Sequence, residues 1–175
     1  MPNRGDIIFV DTCAIEGAHA ANCWPAIYKN FKLKTEDLCL QEATQPNKTG
    51  NRLVNREPDQ LRQEVACVTC PEEDVIALAE LLHDVADLDP GELRLLALAL
   101  KNNEPWNLCG PDLGTLRALL HLNKLGHRAS MDNMCALEAL TKELGMRVAF
   151  EGRKLFKLSE KWLQSARMNL LTGSR

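Results

Sequence analysis

Apolar and polar positions along the chain fall into short blocks that switch between two periods. Ile7-Ile8-Phe9-Val10 is a β-branched, apolar run that ends abruptly at Asp11-Thr12. It reads as a buried parallel strand delivering an acid at its C-terminal end, where open α/β sheets place their chemistry. A helical stretch containing Trp24 and Tyr28 follows. Residues 37–40, Asp-Leu-Cys-Leu, read as a second short strand running into Gln41-Glu42-Ala43. Residues 44–60 are polar, with Pro46, Gly50 and Pro58, and predict a loop or loosely helical excursion. Residues 65–69 give a third strand. From 71 to 85, Val75, Leu78, Ala79 and Leu82 recur at helical spacing and predict an amphipathic crossover helix. Asp89-Pro90-Gly91-Glu92 has the order of a helix start: an Asp cap, Pro in the first turn, and Glu three residues after the cap. The helix it opens, 93–100, is apolar nearly all round and therefore buried. Trp106-Asn107-Leu108-Cys109 is a fourth strand ending at Gly110-Pro111-Asp112. Helical patterns cover 113–125 and 134–144, the latter stopped by Gly145.

Strands alternating with helices predict an α/β fold, a three-layer α/β/α sandwich around a mostly parallel sheet. The chain divides into a domain over 1–145 and a basic, amphipathic extension over 146–175. In the extension a wheel drawn through 153–167 puts Arg153, Lys154, Lys157 and Lys161 on one arc. Leu155, Leu158, Trp162 and Ala166 lie on the other.

At 175 residues, 45% hydrophobic and 26% charged, the chain has the composition of one ordinary globular domain. The absence of a membrane-length apolar run, or of a basic-then-apolar start, predicts a cytoplasmic protein without a membrane partner. Seven cysteines, an odd number scattered among apolar neighbours, suit reduced thiols better than a disulfide frame. The net charge of −3 hides an asymmetry: residues 142–175 carry eight basic and three acidic side chains, and the remainder is net −8. An acidic body with a basic tail suits carboxylates around metal ions beside a surface that holds a polyanion, although solvated surface charge gives the same totals.

Four carboxylates stand where the pattern makes them special. Asp11 follows the first strand, Glu42 the second and Asp112 the fourth, while Glu92 shares a helix face with the apolar Leu95, Leu96 and Ala99. Converging carboxylates in a partly buried site repel one another unless divalent cations neutralise them. Oxygen ligands select Mg²⁺ or Mn²⁺, and a pair of such ions about 3.5–4 Å apart activates water for phosphodiester hydrolysis. Each acid also has a plain structural explanation: Asp11 as a strand end, Asp112 as a turn acid, Glu92 as half of a capping box. Asp89 reads as a helix cap only. Cys67-Val68-Thr69-Cys70 has no second CxxC or His pair at zinc spacing and reads as core packing. His19, His83, His121 and His127 are dispersed. Neither GxGxxG nor GxxxxGK[ST] occurs, so a nucleotide cofactor is not expected.

In order and context these residues resemble the PIN-domain family of metal-dependent ribonucleases, which includes VapC-type toxins. The likeness spans about residues 6–145. It rests on Ile8-Phe9-Val10-Asp11-Thr12, Leu40-Gln41-Glu42, Leu88-Asp89-Pro90-Gly91-Glu92-Leu93 and Leu108-Cys109-Gly110-Pro111-Asp112. The resemblance implies that Asp11, Glu42, Glu92 and Asp112 form a catalytic, metal-binding acidic quartet for Mg²⁺ or Mn²⁺, with the Thr12 hydroxyl supporting the first acid, Asp11. Thr115 stands where many members carry a further acidic or amide residue. It also implies an endoribonuclease acting on RNA, the toxin of a toxin–antitoxin pair, with an antitoxin protein partner and a homodimeric state. Candidates for contacting the substrate backbone are Arg52, Arg56, Arg117, Lys154, Lys157 and Lys161. A non-catalytic PIN-fold module binding RNA or protein is the alternative, and a phosphatase-like enzyme using the same acids is a third reading.

Overall fold

The computed structural model describes residues 2–46, 54, 56–83 and 85–173. Its frame is a five-stranded sheet in which every neighbouring pair is parallel: β1 (Ile7–Val10), β2 (Lys32–Thr35), β3 (Ala66–Cys67), β4 (Trp106–Cys109) and β5 (Met134–Cys135), in the order β3-β2-β1-β4-β5. Parallel neighbours need long crossovers, and helices supply them. Helices α1 (Thr12–Ala20) and α2 (Trp24–Asn30) join β1 to β2, and α3 (Asp37–Thr44) and α4 (Pro58–Glu64) join β2 to β3. Helices α5 (Glu72–Leu82) and α6 (Pro90–Lys101) lead to β4, and α7 (Leu113–Lys124) with a 3₁₀ turn (Met131–Asn133) leads to β5. Then come α8 (Leu137–Glu143), α9 (Arg153–Phe156) and α10 (Glu160–Thr172).

Strand β1 shows how the layers form. Ile7 and Phe9 point to a core shared with Leu78 of α5, Leu95 and Leu96 of α6 and Leu119 of α7. Ile8 and Val10 point to the opposite core, with Ile15, Ile27, Leu40 and Leu61 from α1 to α4. All four strand residues are buried, as the period-2 alternation of a strand covered on both faces requires. This is the expected three-layer sandwich. Among the described residues no helix is long and apolar enough to cross a membrane.

Three local expectations fail. Residues 37–40 are helix, not strand. The strand is Lys32–Thr35, with Leu33 and Thr35 buried and Lys32 exposed. Glu36 then caps α3, its carboxylate accepting from the Leu38 N–H at 2.6 Å. A three-residue apolar run cannot by itself distinguish a strand from a buried helix turn. Second, residues 134–144 are not one helix, because Met134–Cys135 pair with Leu108 and Cys109 before α8 begins. Third, the tail is two helices. Leu158 is buried, and the Ser159 hydroxyl accepts from the Trp162 N–H at 3.2 Å, starting α10 afresh. Lys161 therefore does not share a helical face with Arg153, Lys154 and Lys157. Within the polar stretch 44–60, Pro58 opens α4 behind a Glu57–Gln60 capping box.

The tail is bound into both cores. Phe150 and Leu158 are buried with α1 and α8, while Leu163 and Ala166 are buried against the α7 side, with Trp162 packed beside them.

Candidate functional site

From β1 the chain moves outward through β2 and β3, then returns to place β4 on the other side of β1. The order reverses between β1 and β4, and the crevice beyond the C-terminal ends of such strands is where open α/β sheets bind ligands. Asp11 and Asp112 stand there, each capping the helix that leaves its strand. Asp11 Oδ1 accepts from the Ala14 N–H at 2.6 Å, and Asp112 Oδ1 accepts from the Thr115 N–H at 2.6 Å. Helix N-termini favour negative charge, so both positions suit an acid on local grounds alone.

Glu92 reaches the crevice from the first turn of α6. The expected capping box is present: Asp89 Oδ1 accepts from the Glu92 N–H at 2.8 Å, and Glu92 Oε2 accepts from the Asp89 N–H at 3.2 Å. Its carboxyl also lies within hydrogen-bonding reach of Asp112. Glu42 arrives from α3 rather than from a strand end. Its Oε2 accepts from the Thr12 hydroxyl at 2.9 Å, so Thr12 supports Glu42 and not, as expected, Asp11, whose bond comes from the Ala14 N–H. The same oxygen would lie 3.6 Å from a Cβ on Gly91, at the start of α6.

The electrostatics follow from this convergence. Asp11 is 5% exposed. Its carboxyl is pushed up to about 8, first by burial and then by the charges of Glu92, Asp112 and Asp89, with the Ala14 N–H opposing the shift. Glu92 is raised to about 7 by burial and by Asp112. Burial and the charge of Asp11 also raise the thiols of Cys13 and Cys39 to about 12, which makes them inert as nucleophiles at neutral pH.

The structure thus brings Asp11, Glu92 and Asp112 together and links Glu42 to them through Thr12. The donor set is all carboxylate oxygen and its members repel one another, which is the chemistry of a hard divalent-cation site. The side chains as they stand do not complete one: among the described residues, no group of three or more His, Cys, Asp or Glu is arranged to hold a metal ion. One oxygen of each acid is already taken by a protein donor.

The supporting candidates fare differently. Thr115 is buried and serves Asp112 through its backbone N–H. Arg56 pairs with Glu64 at 3.6 Å, and Glu64 also accepts from the Trp24 indole at 2.7 Å. Arg117 is exposed on α7. Lys154 and Lys157 lie close enough to α1 for their charges to act on Glu16 and Cys13, respectively. Lys161 is exposed on α10, and Arg52 lies outside the described residues. All seven cysteines are free, and the Cys67 thiol donates to Asp37.

Two features escaped the sequence pattern. Glu36, 2% exposed, follows the true second strand; the alternation Lys32-Leu33-Lys34-Thr35 was the available signal. Gly110 is the other. A Cβ there would stand 2.6 Å from Asp11 Oδ2, so the buried acid lies directly on its backbone.

No family model, no curated protein and no solved structure matches the chain.

Proposed function

We propose that this chain is a PIN-type, metal-dependent endoribonuclease that hydrolyses an RNA phosphodiester and acts in the cytoplasm as the toxin of a toxin–antitoxin pair. One observation carries the hydrolytic part: Asp11, Glu92 and Asp112 converge at the switch-point crevice, where burial and mutual repulsion raise the first two well above ordinary carboxylates. Such a cluster is stabilised by protons or by a cation. Mg²⁺ or Mn²⁺ would be held by Asp11, Glu92 and Asp112, with Glu42 joining from α3. When bound, the ion supplies Lewis acidity and a water of lowered pKa. The protein's part is positioning: backbone N–H groups orient Asp11, Asp112 and Glu92, Thr12 orients Glu42, and burial keeps bulk water from Asp11. The choice of RNA, the antitoxin and the homodimer come from the resemblance to the PIN family and from nothing in the geometry.

A second reading, a PIN-fold binding module without catalysis, is favoured by the incomplete arrangement of ligands among the described residues. Calorimetric titration with Mn²⁺ and cleavage of labelled RNA separate the two. The nuclease reading expects saturable Mn²⁺ binding, cleavage abolished by EDTA, and cleavage lost in Asp11→Asn and Asp112→Asn with circular dichroism unchanged. Cleavage that persists in EDTA or in Asp11→Asn overturns the mechanism. Activity confined to small phosphate monoesters would move the assignment to a phosphatase.

A further inference from the structure

A groove of about 450 Å³ lies beside the acid crevice, between α1 and the tail that crosses it. Gly17 and Ala20 of α1, Pro111 from the β4–α7 loop, and Leu155 and Leu158 from the tail give it an apolar floor. It exists because Gly17 lets the tail approach: Leu158 sits where a side chain on Gly17 would be. The Leu158 carbonyl accepts from the Glu138 N–H at 3.2 Å, which fixes the crossing segment. Cys13 and Pro111 line the groove. The first is two residues past Asp11 and the second immediately precedes Asp112, so the groove is the crevice's neighbour along the chain, although none of the four acids lines it.

Its tail side is cationic. Arg153, Lys154 and Lys157 line it, all three are exposed, and none forms an ion pair among the described residues. Glu16 on the facing wall is the one carboxylate in the lining, and the charge of Lys154 acts on it. The volume falls in the range of small-ligand sites, about 300–1,000 Å³. An apolar floor with cations along one edge suits a ligand that alternates flat, uncharged rings with negative charges. Glu16 adds an acceptor for an exocyclic amine of a base. An acidic peptide would bring a carboxylate against Glu16 and gain nothing from it.

We infer that this groove is a subsite for one unstacked nucleotide of a single-stranded polynucleotide, with its base on the apolar floor at Ala20, Pro111 and Leu155 and its phosphates on Arg153, Lys154 and Lys157. Bases paired in a duplex cannot enter such a floor, so the groove selects single strands. It sets the strand so that a neighbouring diester lies at Asp11 and Asp112; that consequence rests on the nuclease reading, whereas the binding does not. The basic contribution of the tail is thus made by the four-residue α9 and the bend after it, without Lys161.

The test uses the full chain in EDTA, with fluorescence anisotropy of a labelled single-stranded oligoribonucleotide and of its duplex over a salt series. The single strand should bind about tenfold or more tighter than the duplex. In Lys154→Gln/Lys157→Gln the slope of log affinity against log salt should fall by about 0.7 per charge removed. Ala20→Trp, at an exposed position, should fill the groove and weaken binding by about tenfold while circular dichroism stays unchanged. Hydrolysis of bis(p-nitrophenyl) phosphate by the unaltered chain in Mn²⁺, a diester too small to need the groove, reads the acid site separately. Equal affinity for the duplex, an unchanged salt slope, or normal binding by a folded Ala20→Trp overturns the proposal. So does failure to bind the oligonucleotide while an acidic peptide binds. If no form hydrolyses the small diester while the binding effects appear, the nuclease reading fails and the groove assignment stands.

Discussion

The hydroxyl of Thr12 donates to Glu42 Oε2 at 2.9 Å, with the Cys39 carbonyl also in reach at 3.2 Å. The residue after Asp11 thereby ties the start of α1 to α3 and orients Glu42, which stays exposed. Thr12→Val keeps the branched shape and removes the hydroxyl, so stability should fall by about 1 kcal/mol. Mn²⁺ affinity, read by calorimetry, should fall by about tenfold, the scale of a lost orienting contact. Thr12→Ser should keep both properties. An unchanged Mn²⁺ affinity in Thr12→Val would show that Glu42 acts without this bond.

Asp11 titrates at about 8 and Glu92 at about 7, against ordinary values of 3.8 and 4.5. The folded chain keeps protons that the unfolded chain has released. The stability this contributes is full below about pH 4 and is lost as pH rises to about 8. The chain in EDTA should therefore melt at falling temperature across that window. Buried Asp11 should account for most of a loss on the order of a few kcal/mol, and Glu92, more open to water, for less. Asp11→Asn should flatten the profile and raise the melting temperature on the alkaline side, and Mn²⁺ should do the same for the unaltered chain. Melts in EDTA that show no pH dependence would contradict the burial of an ionisable Asp11.

Elements marked by both period and punctuation were legible from the residues alone. Ile7–Val10 with its terminal acid, the Asp89–Glu92 capping box opening an apolar helix, and Trp106–Cys109 leading to Asp112 all appear where the pattern puts them. Three of the four acids meet for that reason. Glu42 reaches the site by a different element. Its segment is helical because Glu36 caps it, and the strand before it carries lysines whose polarity hides the alternation. Lys34 lies over the Phe9 ring, 5.7 Å from its centroid, and donates to Asn102 at 2.8 Å, a tertiary arrangement that local hydropathy does not encode. The helical wheel through 153–167 fails at Ser159 for a local reason, since a serine cap can restart a helix inside an amphipathic pattern. Close approaches between distant residues, such as Leu158 on Gly17, leave no trace in a single sequence.

That approach reverses the sign of a familiar substitution. Gly17 lies inside α1, where alanine is favoured over glycine by about 1 kcal/mol in propensity. Leu158 is 4% exposed and occupies the space a methyl group would need. Gly17→Ala should therefore destabilise by about 1–3 kcal/mol, as overpacking does. Adding Leu158→Ala should recover part of that loss, making the double variant more stable than the sum of the single effects. Urea denaturation of the four proteins measures the coupling, and a stabilised Gly17→Ala would show that the tail does not rest on α1.

Gly110 makes the corresponding demand at the site itself. Its φ is not positive, so backbone freedom is not why glycine is needed there. The reason is Asp11, whose Oδ2 and Cγ would lie 2.6 and 2.8 Å from a Cβ at this position. Asp11 has little room to withdraw, because the Ala14 N–H holds Oδ1 at 2.6 Å and the side chain is buried. Gly110→Ala must displace either that carboxylate or the end of β4 that carries Asp112. A shift of about 1 Å in a positioned group costs about a hundredfold in rate, so under the proposed nuclease function RNA cleavage should fall by at least that factor. The stability cost should be about 1–3 kcal/mol from the overlap. In an Asp11→Ala background the same substitution meets no carboxylate, and its stability cost should shrink to a few tenths of a kcal/mol. That contrast separates loss of the Asp11 position from general disruption of the strand end. Full cleavage by Gly110→Ala would mean that the carboxylate resting on this glycine is not the one on which the reaction depends.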